Sequence, residues 1–242
     1  MSSESAAKLE RFFAGELGVS PEMLREPGWR VVSSPNREAR SWHGYNLPLL
    51  LLSRSGSTVV SVAQEFVNAT RQVMDTLHEA IDPRVGENLV DLVAPRFPGA
   101  KSLSGYAMYC EPDQFRPCLD HPSDLLRPTD PQWDDMRAHF DGPVFVARVE
   151  TGQVGSWAGI KCKAGDVWEI SVVTEEAYRR RGLAKVVVSA AACYILDHGA
   201  VPLYVYPATN EVSGRVARSL GFTQFALEAY CSVSDSDPTG MW

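Results

Sequence analysis

The sequence predicts an α/β fold built around a mixed sheet, on three observations. From Gln132 to Val233, strand-like and helix-like runs alternate, the pattern of a layered α/β unit. Within it, the run 183–196 is almost entirely small or apolar (Val186, Val187, Val188, Ala190, Ala191, Ala192, Ile195), as expected of a helix buried on a sheet. Ahead of it, residues 1–125 mix helical spacing with a hairpin pattern, so an α+β lobe is expected there and a second unit over 126–242. A hydrophobic content of 45% in 242 residues is enough for a sizeable core.

Taken in order, the first helix is expected over 5–17, with Leu9, Phe12 and Phe13 on its apolar side, and a second short one after the start signal Ser20-Pro21. Two runs, 49–52 and 57–63, flank Arg54-Ser55-Gly56 and read as a hairpin. The spacing of Phe66, Val67, Val73, Met74, Leu77 and Ile81 predicts a helix over 65–81. A helix over 87–93 and a strand over 104–109 close this block. Five of the sixteen prolines fall between Pro112 and Pro131, which places the boundary between the two units. Beyond it the expected order is helix 132–140, strand 144–150, turn 151–153, strands 154–161 and 167–173, helix 183–196, strand 203–206, helix 211–220 and strand 224–233.

The formal charge of −7 argues against nucleic acid as a partner, because phosphate binding needs a basic face. Residues 1–142 carry −6 of that charge and residues 143–242 only −1, so a cationic acceptor would suit the front half; the alternative is that these acids serve solubility. Five cysteines without a Cys-x-x-Cys pair suggest a reducing compartment and no structural zinc. The polar start lacks the order of a signal peptide, and the longest aliphatic run, Leu47 to Leu52, is too short to cross a bilayer. A cytoplasmic protein without a membrane partner is expected.

Chemistry is concentrated between Trp168 and Ala184: a β-rich run, a polar turn, a glycine and then the long apolar helix. A helix start that follows a strand in this way exposes unpaired amides and favours phosphate. Gly182 lets the backbone approach a pyrophosphate, and Arg179, Arg180 and Arg181 add positive charge beside it. Alone, the three arginines also read as a solvated basic loop. Asp197-His198-Gly199 then ends the helix, with Gly199 at the left-handed cap position and His198 as its neighbour.

Val172-Val173-Thr174, Tyr178-Arg-x-Arg-Gly-Leu-Ala184, Pro202-Leu-Tyr204, Asn210-x-x-Ser213 and Ala217-x-x-Leu-Gly-Phe222 together resemble the Gcn5-related N-acetyltransferase superfamily, and within it the zwittermicin-resistance-like branch. The resemblance implies a mixed central sheet of that type, with strands 167–173 and 203–206 splayed and the pantetheine arm of acetyl-CoA lying between them as a pseudo-strand. It implies cofactor contacts from Val172, Val173, Arg179, Arg180, Arg181, Gly182, Leu183, Ala184, Asn210 and Ser213. Asn210 also reads as the N-cap of the next helix, alone or together with a cofactor contact.

The implied function is transfer of an acetyl group from acetyl-CoA to a primary amine of a small molecule, amino acid or peptide by direct attack. The resemblance further implies an oxyanion donor among the backbone N–H groups near Val173. A carboxylate inside a strand is costly unless paired or wet, so Glu169 is either a base acting through water or half of a structural salt bridge. Where the family often has a Tyr as general acid, this chain has Ala217; Tyr204, Tyr206 or Ser213 could substitute. Ala217 also motivates a rival reading, a non-catalytic acyl-CoA-binding sensor or scaffold, and a longer acyl donor is a third. Residues 1–125 match no family and could be a degenerate second copy, a lid, or an arm for homodimerisation. The remaining histidines share no ligand spacing, so no metal is expected.

Overall fold

The computed structural model describes residues 3–38, 46–76, 82, 84–119 and 121–233. Among the described residues, ten strands form one mixed sheet. They are β1 (Gly28–Ser33), β2 (Asn46–Arg54), β3 (Ser57–Val62), β4 (Lys101–Tyr109), β5 (Asp124–Leu125), β6 (Val144–Arg148), β7 (Val154–Ala164), β8 (Val167–Thr174), β9 (Val201–Pro207) and β10 (Thr223–Val233). The order across the sheet is β1-β3-β2-β10-β4-β9-β8-β7-β6-β5, and only β1/β3 and β8/β9 run parallel. The α-helices of the described residues are α1 (Glu4–Leu17), α2 (Val67–Thr76), α3 (Val85–Val93), α4 (Trp133–His139), α5 (Leu183–Asp197) and α6 (Glu211–Ser219). The expected α/β class with a mixed sheet is the observed one.

The two faces of the sheet follow from side-chain alternation along each strand. Leu50, Leu52 and Leu203 pack with Leu9, Phe13 and Leu17 of α1 on one face. Leu49, Leu51, Leu227 and Ala229 face the other way, onto Met74 of α2 and Leu89 of α3, and Tyr204 and Tyr206 join α5 and α6 on that side. The all-round apolar composition of α5 fits its place: Val187, Val188, Ala191, Ala192 and Ile195 are fully buried. Both sequence segments contribute to the one sheet, since β10 lies between β2 and β4, and β4 pairs in turn with β9.

Three details depart from expectation. The second short helix is a single 3₁₀ turn, Pro21–Leu24, cut off by Pro27-Gly28. Strand β1 was not foreseen, because its exposed Gly28 and Trp29 break the alternation that marks a strand. The helix expected over 65–81 is α2 preceded by a 3₁₀ turn, Gln64–Phe66; Leu77 and Ile81 lie outside the described residues.

One buried charge anchors α1. Glu10 has a side chain only 3% exposed and takes Arg25 at 2.6 Å and Arg54 at 2.5 Å. Burial opposes its ionisation, but the hydrogen bonds and charges of Arg25 and Arg54 outweigh burial and hold the carboxyl below its ordinary value of 4.5. A carboxyl depressed by folding contributes stability above its unfolded value and loses it as pH falls through the lower, folded one. Glu10→Gln should therefore cost about 1–2 kcal/mol at neutral pH and flatten the loss of stability below pH 4.5. Urea unfolding across pH checks both.

Candidate active site

Parallel strands β8 and β9 pair over only three positions, Val167 with Val201, Trp168 with Pro202 and Glu169 with Leu203. Each then follows its other neighbour. From Ile170 to Thr174, β8 stays on β7, and from Tyr204 to Pro207, β9 stays on β4. The facing edges past Glu169 and Leu203 thus carry backbone N–H and C=O groups without ladder partners, the feature that lets an extended ligand pair as a strand. A cavity of about 420 Å³ fills this wedge, lined by Ile170 to Val173 from one strand and Leu203 to Pro207 from the other.

At the end of β8, a 3₁₀ turn (Glu176–Tyr178) leads through Arg179 to Gly182, the cap of α5. Gly182 has φ +78°, and among the described residues a Cβ built there meets nothing within 4 Å, so space is left over the helix start. No side chain caps it, leaving the first-turn amides of Leu183, Ala184 and Lys185 without intrahelical acceptors. Arg179, Arg180 and Arg181 are exposed, and among the described residues none is ion-paired; Arg181 lies over the Tyr178 ring and Arg179 reaches the Thr174 carbonyl. This is a basic, amide-lined end suited to an anion.

Of the expected cofactor residues, the cavity brings together Val172, Val173, Asn210 and Ser213. Arg179, Arg180, Arg181, Gly182, Leu183 and Ala184 lie outside its lining, in the loop and helix start that follow β8. Asn210 caps α6, its Oδ1 accepting from the Ser213 N–H at 3.2 Å, while also lining the cavity. Ser213 Oγ shares a 2.8 Å hydrogen bond with Tyr204 Oη, whose pKa burial pushes up to about 12. Tyr206 Oη accepts from Arg218 at 3.1 Å. Gly214 permits that approach, because a Cβ there would meet the Tyr206 ring at 2.6 Å. Ala217 is fully buried in the core beside these tyrosines. His198 sits at the end of α5, its ring against Tyr194 and Trp168, a packing role.

Glu169 faces the cavity on the α1 side and pairs with Lys163 at 3.0 Å. Burial pulls Lys163 down, but the Glu169 charge and hydrogen bond outweigh it and raise its pKa. Lys161, the register partner of Glu169 and only 9% exposed, is lowered by burial. The same chamber holds Glu228 of β10, Glu16 of α1 and Arg37, under a roof of Phe12 and Phe13. Among the described residues its formal charges balance, three acids against three bases. Sequence reasoning passed over Glu228, although the available signal was the one that singled out Glu169: a lone carboxylate between Leu227 and Ala229 inside a strand.

Residues 131–230, less than half of the chain, match the family model described as GNAT acetyltransferase. A solved Drosophila protein is similar over 96% of this chain and 97% of its own, at 12% identity and a TM-score of 0.50. A GCN5-related N-acetyltransferase-like protein from Streptococcus suis is similar over 95% of this chain and 98% of its own, at 19% identity and a TM-score of 0.49. A GCN5-related N-acetyltransferase from Kribbella flavida is similar over 64% and 67%, at 15% identity and a TM-score of 0.46. No curated protein matches the chain. The matched segment runs from α4 into β10 and holds the splayed strands β8 and β9. Among the described residues, no helix is long and apolar enough to cross a membrane.

Proposed function

We propose that this protein is an N-acetyltransferase of the zwittermicin-resistance-like branch, moving the acetyl group of acetyl-CoA to a primary amine of a small molecule, amino acid or peptide. The observation that carries the reading is the splay of β8 from β9, with a cavity in the wedge and an uncapped, arginine-flanked helix start at its outer end. The free edges at Val172 and Val173 suit the pantetheine arm, and the amides of Leu183 and Ala184 with Arg179, Arg180 and Arg181 suit the pyrophosphate. Bound there, the co-substrate supplies an acetyl thioester. A backbone N–H near Val173 stabilises the developing oxyanion. Tyr206, or the Tyr204–Ser213 pair, donates a proton to the departing thiolate; a phenol held near 12 retains its proton at neutral pH.

The chamber on the α1 side is the acceptor site in this reading, so α1 and the segment around Arg37 in the 1–125 unit select the amine. All five cysteines are free thiols, in keeping with a cytoplasmic protein. Ala217 in the core favours a second reading, binding of acyl-CoA without turnover. Calorimetry with CoA tests what both share, and thiol release from acetyl-CoA in the presence of an amine panel separates them. Gly182→Val places a side chain in the open space over the helix start and should weaken CoA binding at least tenfold, about 1.4 kcal/mol. Unchanged affinity in the folded variant would move the pyrophosphate elsewhere.

A further inference from the structure

The two carboxylates of the chamber differ in their partners. Glu169 is committed to Lys163 at 3.0 Å. Glu228, on the same side of the sheet, lines the cavity, and among the described residues it makes no hydrogen bond and no ion pair. A carboxylate inside a strand is costly unless paired or wet, so Glu228 depends on the cavity it faces, where water or a ligand can reach it. The register sets its place: Glu228 lies between Leu52 of β2 and Gly105 of β4, and Gly105 pairs in turn with Pro207 at the end of β9. Gly105 has no side chain to stand between them, and two strand spacings put Glu228 about 10 Å along the sheet from the lip of the wedge. A base acts on an amine within hydrogen-bond reach or through one water, so an acceptor held in the chamber between Glu228 and the wedge can meet both.

We infer that Glu228 is the general base of the acyl transfer, the group that takes a proton from the acceptor's ammonium in the chamber under α1. The assignment rests on the acetyltransferase reading above. The ammonium passes one proton to the Glu228 carboxylate and becomes a neutral amine. Its lone pair forms the C–N bond at the thioester carbonyl, the C–S bond breaks, and sulfur leaves with the electron pair. The second N–H proton ends on the thiol, and Glu228 returns its own to solvent.

The surroundings tune this carboxyl for the task. Burial raises its pKa to about 7, helped by the charges of Glu169 on β8 and Glu16 on α1 and opposed by Lys163 on β7 and by Arg37; Lys161 of β7 faces the same chamber. A base is most effective when its pKa lies near the working pH. Glu169 then acts as a positioning residue, holding Lys163 and adding negative charge.

The test is kcat/KM against pH for native protein, Glu228→Gln and Glu169→Gln, with propylamine, ethanolamine and glycinamide as acceptors and CoA affinity measured alongside. Glu228→Gln should lose about a hundredfold at pH 7, recover at high pH where the amine deprotonates itself, and bind CoA as native protein does. Glu169→Gln should keep the acid limb but shift it to lower pH, because a negative charge beside Glu228 is removed. Loss of the limb in Glu169→Gln with an unaltered Glu228→Gln profile would overturn the assignment. So would an equal loss at every pH. If none of these amines reacts, carboxyl NMR of 13C-glutamate protein decides: a Glu228 signal titrating in the ordinary carboxylate range overturns the proposal, and one titrating near neutrality supports it. Failure of native protein to bind CoA at all would instead remove the cofactor reading.

Discussion

Gly221→Ala should lower the unfolding free energy by about 3 kcal/mol or more, through two separate costs. Gly221 follows the last turn of α6 with φ +93°, where the Phe222 N–H returns to the Ala217 carbonyl and closes the helix. An L side chain is strained in that conformation, by about 1–2 kcal/mol. A Cβ there would also stand 2.1 Å from the Gln114 carbonyl oxygen. The obstacle is backbone, tied in place by the Arg116 N–H donating to the Leu220 carbonyl at 3.0 Å, so it cannot rotate aside. The Leu-Gly-Phe signature thus serves as a helix stop and as a passage for the 111–116 segment. Urea unfolding measures the loss; a change below about 1 kcal/mol would mean that this crossing is looser than described.

Phe13→Ala should cost about 3–5 kcal/mol, the range for emptying a phenylalanine site in a core. The Phe13 ring is 2% exposed and stacks on Phe225 at 5.5 Å, clamping α1 onto β10. It also lines the cavity, whereas Arg179 to Gly182 do not. The folded variant should therefore bind CoA with native affinity while kcat/KM shifts among amines toward bulkier acceptors. Denaturation curves and the amine panel report the two effects separately. Equal losses for CoA and for acceptor would contradict a chamber dedicated to the acceptor.

Local physics made much of this protein legible without coordinates. Helix α5 announces itself through an apolar run wider than one face, Gly182 and Gly199 mark its ends, and both carry the positive φ expected of such positions. The hairpin β2/β3, the helix-capping Asn210 and the order of elements after Gln132 follow from period and turn chemistry in the same way. Such features depend on residues within one or two turns of each other, so they are written in the chain.

The partners of Glu169 and Glu228 are not. A strand pattern says that a carboxylate is inside, but whether it meets a cation depends on which strand lies alongside. Lys163 comes from β7, the neighbour of β8, whereas Glu228 lies between Leu52 and Gly105, neither of which offers a charge. The same holds for the insertion of β4 between β9 and β10, and for the placement of α1 residues and Arg37 on the cavity that β8 and β9 line. Sequence by itself determined the strand–loop–helix unit with its uncapped helix start, because helix starts and glycine turns are local. Only the tertiary structure decided which carboxylate of the chamber, among the described residues, makes a direct ion pair, because pairing and burial are set by strands distant in the chain.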